Sequence, residues 1–174
     1  MTRSEDVDRE QFLEAVQGLL RGDFSHLAPV FEDDSSNSCA ILRWHANGWF
    51  NDQQPALEEA LTCACFLGRT SVVLRLLADG MDVSAGRRTG LNGFHWAVNR
   101  GQLDTVKLLI EQKAPLEERN MYGGTILSTA VWSAIHEPRP DHLAIVEALL
   151  KAGAKHESFE CPTGNAQIDA LMAR

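Results

Sequence analysis

The chain has 174 residues, is 44% hydrophobic and 23% charged, and carries a formal net charge of −8, the usage of one ordinary domain with a sizeable core. No run of Lys or Arg is longer than Arg87-Arg88, so there is no basic face to neutralise a phosphate backbone, and nucleic acid is excluded as the expected ligand. Residues 1–10 are acidic and hold no apolar run, which predicts neither a signal peptide nor a membrane span and makes the cytoplasm the expected location, with no membrane partner.

The charge is unevenly placed. Residues 1–54 hold ten acids against four bases, and the rest of the chain fourteen against twelve. This acidic third reads as a solvated face that keeps the protein soluble, with a dock for a basic partner as the alternative. Within it, Phe12 to Gly22 followed by Phe24 to Phe31 has the pattern of one degenerate helical unit. From Cys39 to Phe50 two readings stay open. Either Ser36 or Ser38 caps a helix ending at Asn47-Gly48, which is favoured, or Asn47-Gly48 turns a small hairpin.

A first clear unit follows from Pro55 to Val83. Asn51 or Asp52 is the expected N-cap, Pro55 lies at or near the first helical position, and Gly68 ends the helix. Ser71 is expected to cap a second helix, whose apolar residues from Val72 to Leu77 form one stripe before Gly80 stops it. Ser84 to Asn92 is rich in breakers and reads as a projecting turn. The second unit, Gly93 to Leu116, repeats this order with helices so short that stacking must hold them. The third runs from Asn120 to Gly153, and Ala166 to Met172 closes the chain as a capping helix.

These units keep a common beat. Leu61, Phe94 and Leu127 lie 33 residues apart, as do Ala64, Ala97 and Ala130, and the pairs Gly68/Gly101 and Val73/Val106. A helix-turn-helix unit at a fixed period signals a stacked solenoid, each unit burying one face on its neighbour and leaving a continuous surface open. Val106 to Val146 breaks the beat at 40 residues, which places seven extra residues within 133–142. The expected organisation is therefore an acidic capping region over 1–54, three units over 55–156 (55–85, 87–118 and 120–156), and a capping helix within 157–174.

At these residues the chain resembles the ankyrin-repeat family. The segment GLNGFHWAVNRGQLDTVKLLIEQKAPLE, residues 90–117, places His95 on the family's motif histidine and Gly90, Phe94, Ala97, Gly101, Val106, Leu108 and Leu109 on its glycine, leucine, alanine and aliphatic positions. Leu61, Ala64, Gly68, Leu76-Leu77 and Gly80 match in the first unit, and Gly123, Thr125, Leu127, Ala130, Leu149-Leu150 and Gly153 in the third. The resemblance implies an all-α ankyrin-repeat solenoid of about three repeats plus degenerate caps. Thr62 and Ser128 stand where the family has histidine, so the hydrogen bonds of that histidine must be re-made there.

Candidate chemistry is thin. As the motif histidine, His95 is structural by resemblance, and no triad surrounds it. Cys63 and Cys65 have no second pair at zinc-like spacing, and all four cysteines are expected as reduced thiols. His136, Glu137, Asp141 and His142 are possible metal ligands. However, Pro138 and Pro140 hold that segment extended and Asp141 suits an N-cap, so no metal and no cofactor are expected.

By resemblance, partner contacts lie on the turn tips and on the exposed ends of the first helices. The tips offer Arg87, Arg88, Leu91, Met121 and Tyr122, and the helix ends Phe66, Leu67, Asn99, Arg100 and Trp132. Phe66, Leu67 and Trp132 are either anchors for a partner or covered by the insertion and the longer first helix. Trp96 is expected to point inward. The implied function is a non-enzymatic, monomeric protein-protein interaction module. The rival readings are a small acidic inhibitor or immunity-type protein for a basic partner, a metal or enzymatic protein built on the insertion, and a structural part of a larger assembly.

Overall fold

A computed structural model of the chain describes residues 3–33, 38–156 and 162–174. It is all-helical, with no strand among the described residues. In chain order the helices are α1 (Arg3–Arg21), a 3-10 segment (Phe24–Phe31), α2 (Ala40–Ala46), α3 (Gln54–Leu67), α4 (Thr70–Ala78), α5 (Gly93–Asn99), α6 (Leu103–Glu111), α7 (Ile126–His136), α8 (His142–Lys151) and α9 (Ala166–Met172). The segment 40–46 is thus helix rather than hairpin. Its N-cap is Cys39, not Ser38, and Ser36 lies outside the described residues.

The helices form two rows. α3, α5 and α7 pack on one another in sequence, α4, α6 and α8 do the same, and each pair closes on itself. The 33-residue beat is the reason. Leu61, Phe94 and Leu127, with Ala64, Ala97 and Ala130, are all buried between units, and one apolar cluster runs from Phe12 to Met172. Alanine at the closest approach lets helices as short as α5 come near enough to hold each other.

The turns between helices show how the units interlock. Gly68 takes the left-handed conformation (φ 70°) that ends α3, and a Cβ there would strike the side chain of Gln102, whose Nε2 donates to Phe66 O at 3.0 Å. In the same way Gly101 lies against the Cβ and Cδ of Arg139. Successive first helices thus bring their carboxy-terminal ends together. α1 does not follow this register, because Gly22 at its end lies against Thr89, which precedes the opposite end of α5.

Two further expected caps are corrected, and a third is found in its place without its bond. The turn after Phe50 ends at Gln53, which becomes the N-cap of α3, so Asn51 and Asp52 lie before it. α4 starts at Thr70, directly after the Gly68 turn, and Ser71 is already inside the helix. Asp141 occupies the N-cap position of α8, but its backbone is helical and its side chain makes no capping bond. The insertion mostly lengthens α7: in register with α5 the helix would end at Trp132, and it runs to His136.

Candidate interaction surface

The loop between the first two units is tied to the helices beneath it. Gly86 is buried, and Thr62 Oγ1 donates to its carbonyl at 2.9 Å, so threonine re-makes the loop contact expected of the family's histidine. Glu59, 1% exposed, accepts the Arg88 N–H at 2.8 Å through Oε1, while Oε2 has no partner. Burial raises the Glu59 pKa against the opposing influence of the Arg88 N–H and charge. Arg88 Nε donates to Leu20 O at 3.1 Å, and Arg87 donates to Ser84 O at 2.6 Å and pairs with Glu118. Both arginines are exposed, but their guanidinium groups staple the stack and do not stand free.

The second loop is held by His95. Nε2 lies 3.2 Å from both Glu118 O and Gly124 O, and Nδ1 lies 2.8 Å from Asn92 Oδ1, which also accepts the His95 N–H as the cap of α5. Both ring nitrogens face acceptors, an arrangement that would suit an imidazolium. Burial and the Arg87 charge outweigh it and hold the His95 pKa down at about 4, so the ring is neutral at pH 7. Asn120 Oδ1 accepts from Tyr122 N and Gly124 N, and Met121 N donates to Gly90 O, linking this loop to the first. At its tip the side chains of Met121 (66% exposed) and Tyr122 (80%) are left in solvent.

The helix-end residues divide. Trp132 is 50% exposed, with His136 tilted against it at 4.9 Å. Phe66 is half-buried, edge-on to Phe24 at 5.6 Å and to Trp96 at 5.1 Å, with the Arg100 guanidinium 4.6 Å from its ring centre. Leu67 and Leu91 are half-buried. Asn99, expected at an exposed helix end, is instead buried beside the lengthened α7, its Nδ2 donating to Ser133 Oγ at 2.9 Å. Trp96 points inward, packed against the core and edge-on to Phe24 at 6.3 Å. It is half-buried, and its Nε1 donates to Thr89 Oγ1 at 2.9 Å.

Two of the possible metal ligands of the insertion are engaged by the backbone and side chain of the preceding unit. His142 is buried, its Nδ1 accepting from Arg139 N and its Nε2 3.1 Å from both Val98 O and Asn99 O, while Glu137 Oε2 lies 3.4 Å from Asn99 Nδ2. Cys39, Cys63 and Cys65 are buried free thiols whose pKa values burial pushes up, which leaves them protonated and unreactive. Sequence reasoning missed the capping roles of Asn92 and Thr125, although each stands three residues before a helical N–H that it accepts. It also missed Glu59, the one charged residue of α3 inside an otherwise apolar and small-residue buried face.

No helix among the described residues is long and apolar enough to cross a membrane. No curated protein matches the chain. A family model described as ankyrin repeats in three copies matches residues 61–159, more than half of the chain and the same three stacked helix pairs. Repeat period, stacking and family match agree, and the chain belongs to the ankyrin-repeat family.

Proposed function

We propose that this protein is a non-enzymatic binding module that presents one preformed face of the stack to a protein partner. Met121, Tyr122 and Trp132 are its central contacts, with Phe66, Leu67, Arg87, Arg88, Leu91 and Arg100 around them. The observation that carries the reading is the exposure of Met121, Tyr122 and Trp132, two aromatic rings and a thioether left in solvent beside the scattered aliphatic side chains of Val7, Leu13 and Leu74. Aromatic and Met side chains held in solvent are the common anchors of protein interfaces. Because the loops are tied to the helices at Gly86, Glu59 and His95, the face is set before binding and little backbone movement is needed. The test is capture from source-cell lysate with wild type beside the Met121→Ala/Tyr122→Ala/Trp132→Ala variant. A partner retained by wild type and lost by the folded variant is expected, and equal retention by both would overturn the assignment of the face.

A further inference from the structure

Two arginines meet where the first helices end. Arg100 follows α5, and its guanidinium lies over the Phe66 ring at 4.6 Å, a cation–π contact that orients the group while leaving its N–H edges available. Arg139 comes from the insertion, and its Cβ and Cδ run across Gly101, the residue next to Arg100. Burial and the Arg139 charge both lower the Arg100 pKa, as expected for two cations sharing one field.

The pair lacks the close carboxylate that several other arginines of this surface have. Arg21, Arg69, Arg75 and Arg87 each lie within 4 Å of a carboxylate. Among the described residues Arg100 and Arg139 form no such pair, and the buried Nε of Arg139 has no hydrogen-bond partner. Glu137 offsets part of their charge, but its Oε2 is turned toward Asn99. In a chain with 24 acids against 16 lysines and arginines, two adjacent arginines facing the single carboxylate of Glu137 leave a local positive excess.

We propose that Arg100 and Arg139, floored by Phe66, dock an acidic peptide segment of the partner protein. Asp or Glu carboxylates seat on the two guanidinium forks, and the exposed ring of Trp132 takes a neighbouring apolar side chain. The charge-assisted bonds select the anionic residues, and the ring supplies the apolar anchor. This rests on the protein-binding reading above and names the chemistry of the partner.

The probe is a phage-displayed library of random 12-residue peptides, selected on the full chain and in parallel on Arg100→Gln/Arg139→Gln. Wild type is expected to enrich peptides carrying clustered Asp or Glu. One synthesised winner should bind the double variant at least tenfold more weakly, with the helical circular dichroism of the variant unchanged. Glu137→Gln removes only the opposing charge and should tighten the same peptide severalfold, which keeps the inference testable if the double variant unfolds. Enriched peptides without acidic residues, or acidic peptides that bind the folded double variant equally well, would overturn the inference and leave the protein-binding reading standing. A winner that binds ten times more tightly with phosphoserine in place of its Asp or Glu would overturn the carboxylate assignment. No enrichment on wild type would count against both.

Discussion

His95 makes the stack acid-sensitive in a window that can be worked out beforehand. The ring is 1% exposed and its pKa falls from the ordinary 6.5 to about 4 on folding. As pH drops below 6.5 the unfolded chain takes a proton that the folded chain refuses until about 4. The contribution of this group is therefore complete above 6.5 and lost progressively between those values. At 1.36 kcal/mol per pH unit the whole window amounts to about 3 kcal/mol. That is a large part of the ~5–15 kcal/mol that holds a domain folded. Urea denaturation of wild type and His95→Gln at several pH values from 7.5 to 4 isolates the effect, because other groups, among them His142 with its own lowered pKa, titrate in both proteins. Wild type should lose about 3 kcal/mol more than the variant over this range. Parallel profiles, or a His95 NMR titration midpoint at or above 6.5, would refute the reasoning.

Two further substitutions test the loops and turns. A Cβ on Gly86 would strike Thr62 Oγ1 and come within 2.5 Å of the backbone oxygen of Glu58, which cannot move aside; Gly86→Ala should cost about 1–3 kcal/mol. That corresponds to a fall in Tm of roughly 2–12 °C for a chain of this size, read by thermal melting, and an unchanged Tm would show that the loop is not anchored there. Lys113 is the one non-glycine with positive φ among the described residues (58°), at the position where Gly80 and Gly153 end the other units. Lys113→Gly should raise stability by about 1 kcal/mol in urea titration, and a loss of stability would mean that the lysine side chain contributes more than its backbone strain costs.

The repeat was legible because burial between stacked units is local and periodic. Positions such as Leu61 and Ala97 need only the next unit in register to be placed. What the sequence hid depends on breaks in that period. Asn99 looked like a surface position until the insertion lengthened α7 and brought Ser133 over it. Arg139 could not be set beside Arg100 without knowing the course of residues 137–141. The placement of the amino-terminal helix escaped for a similar reason, since Gly22 meets Thr89 across a long sequence separation and outside the beat. The exposed tip residues Met121 and Tyr122 were readable because their loop is placed by the periodic His95 and by Asn120 at its own start.

The glycines that end α3 and α5 have a consequence for how such a chain can change. Gly68 receives Gln102 of the following unit in the volume a methyl group would fill, and Gly101 lies close under Arg139 of the one after it. The occupants differ in length, charge and reach, and only Gln102 is bonded back to the preceding helix, at Phe66 O. Each junction therefore carries its own key. Exchanging the units would set the longer, charged arginine at the seam that now holds an amide, so each seam favours the neighbour it has.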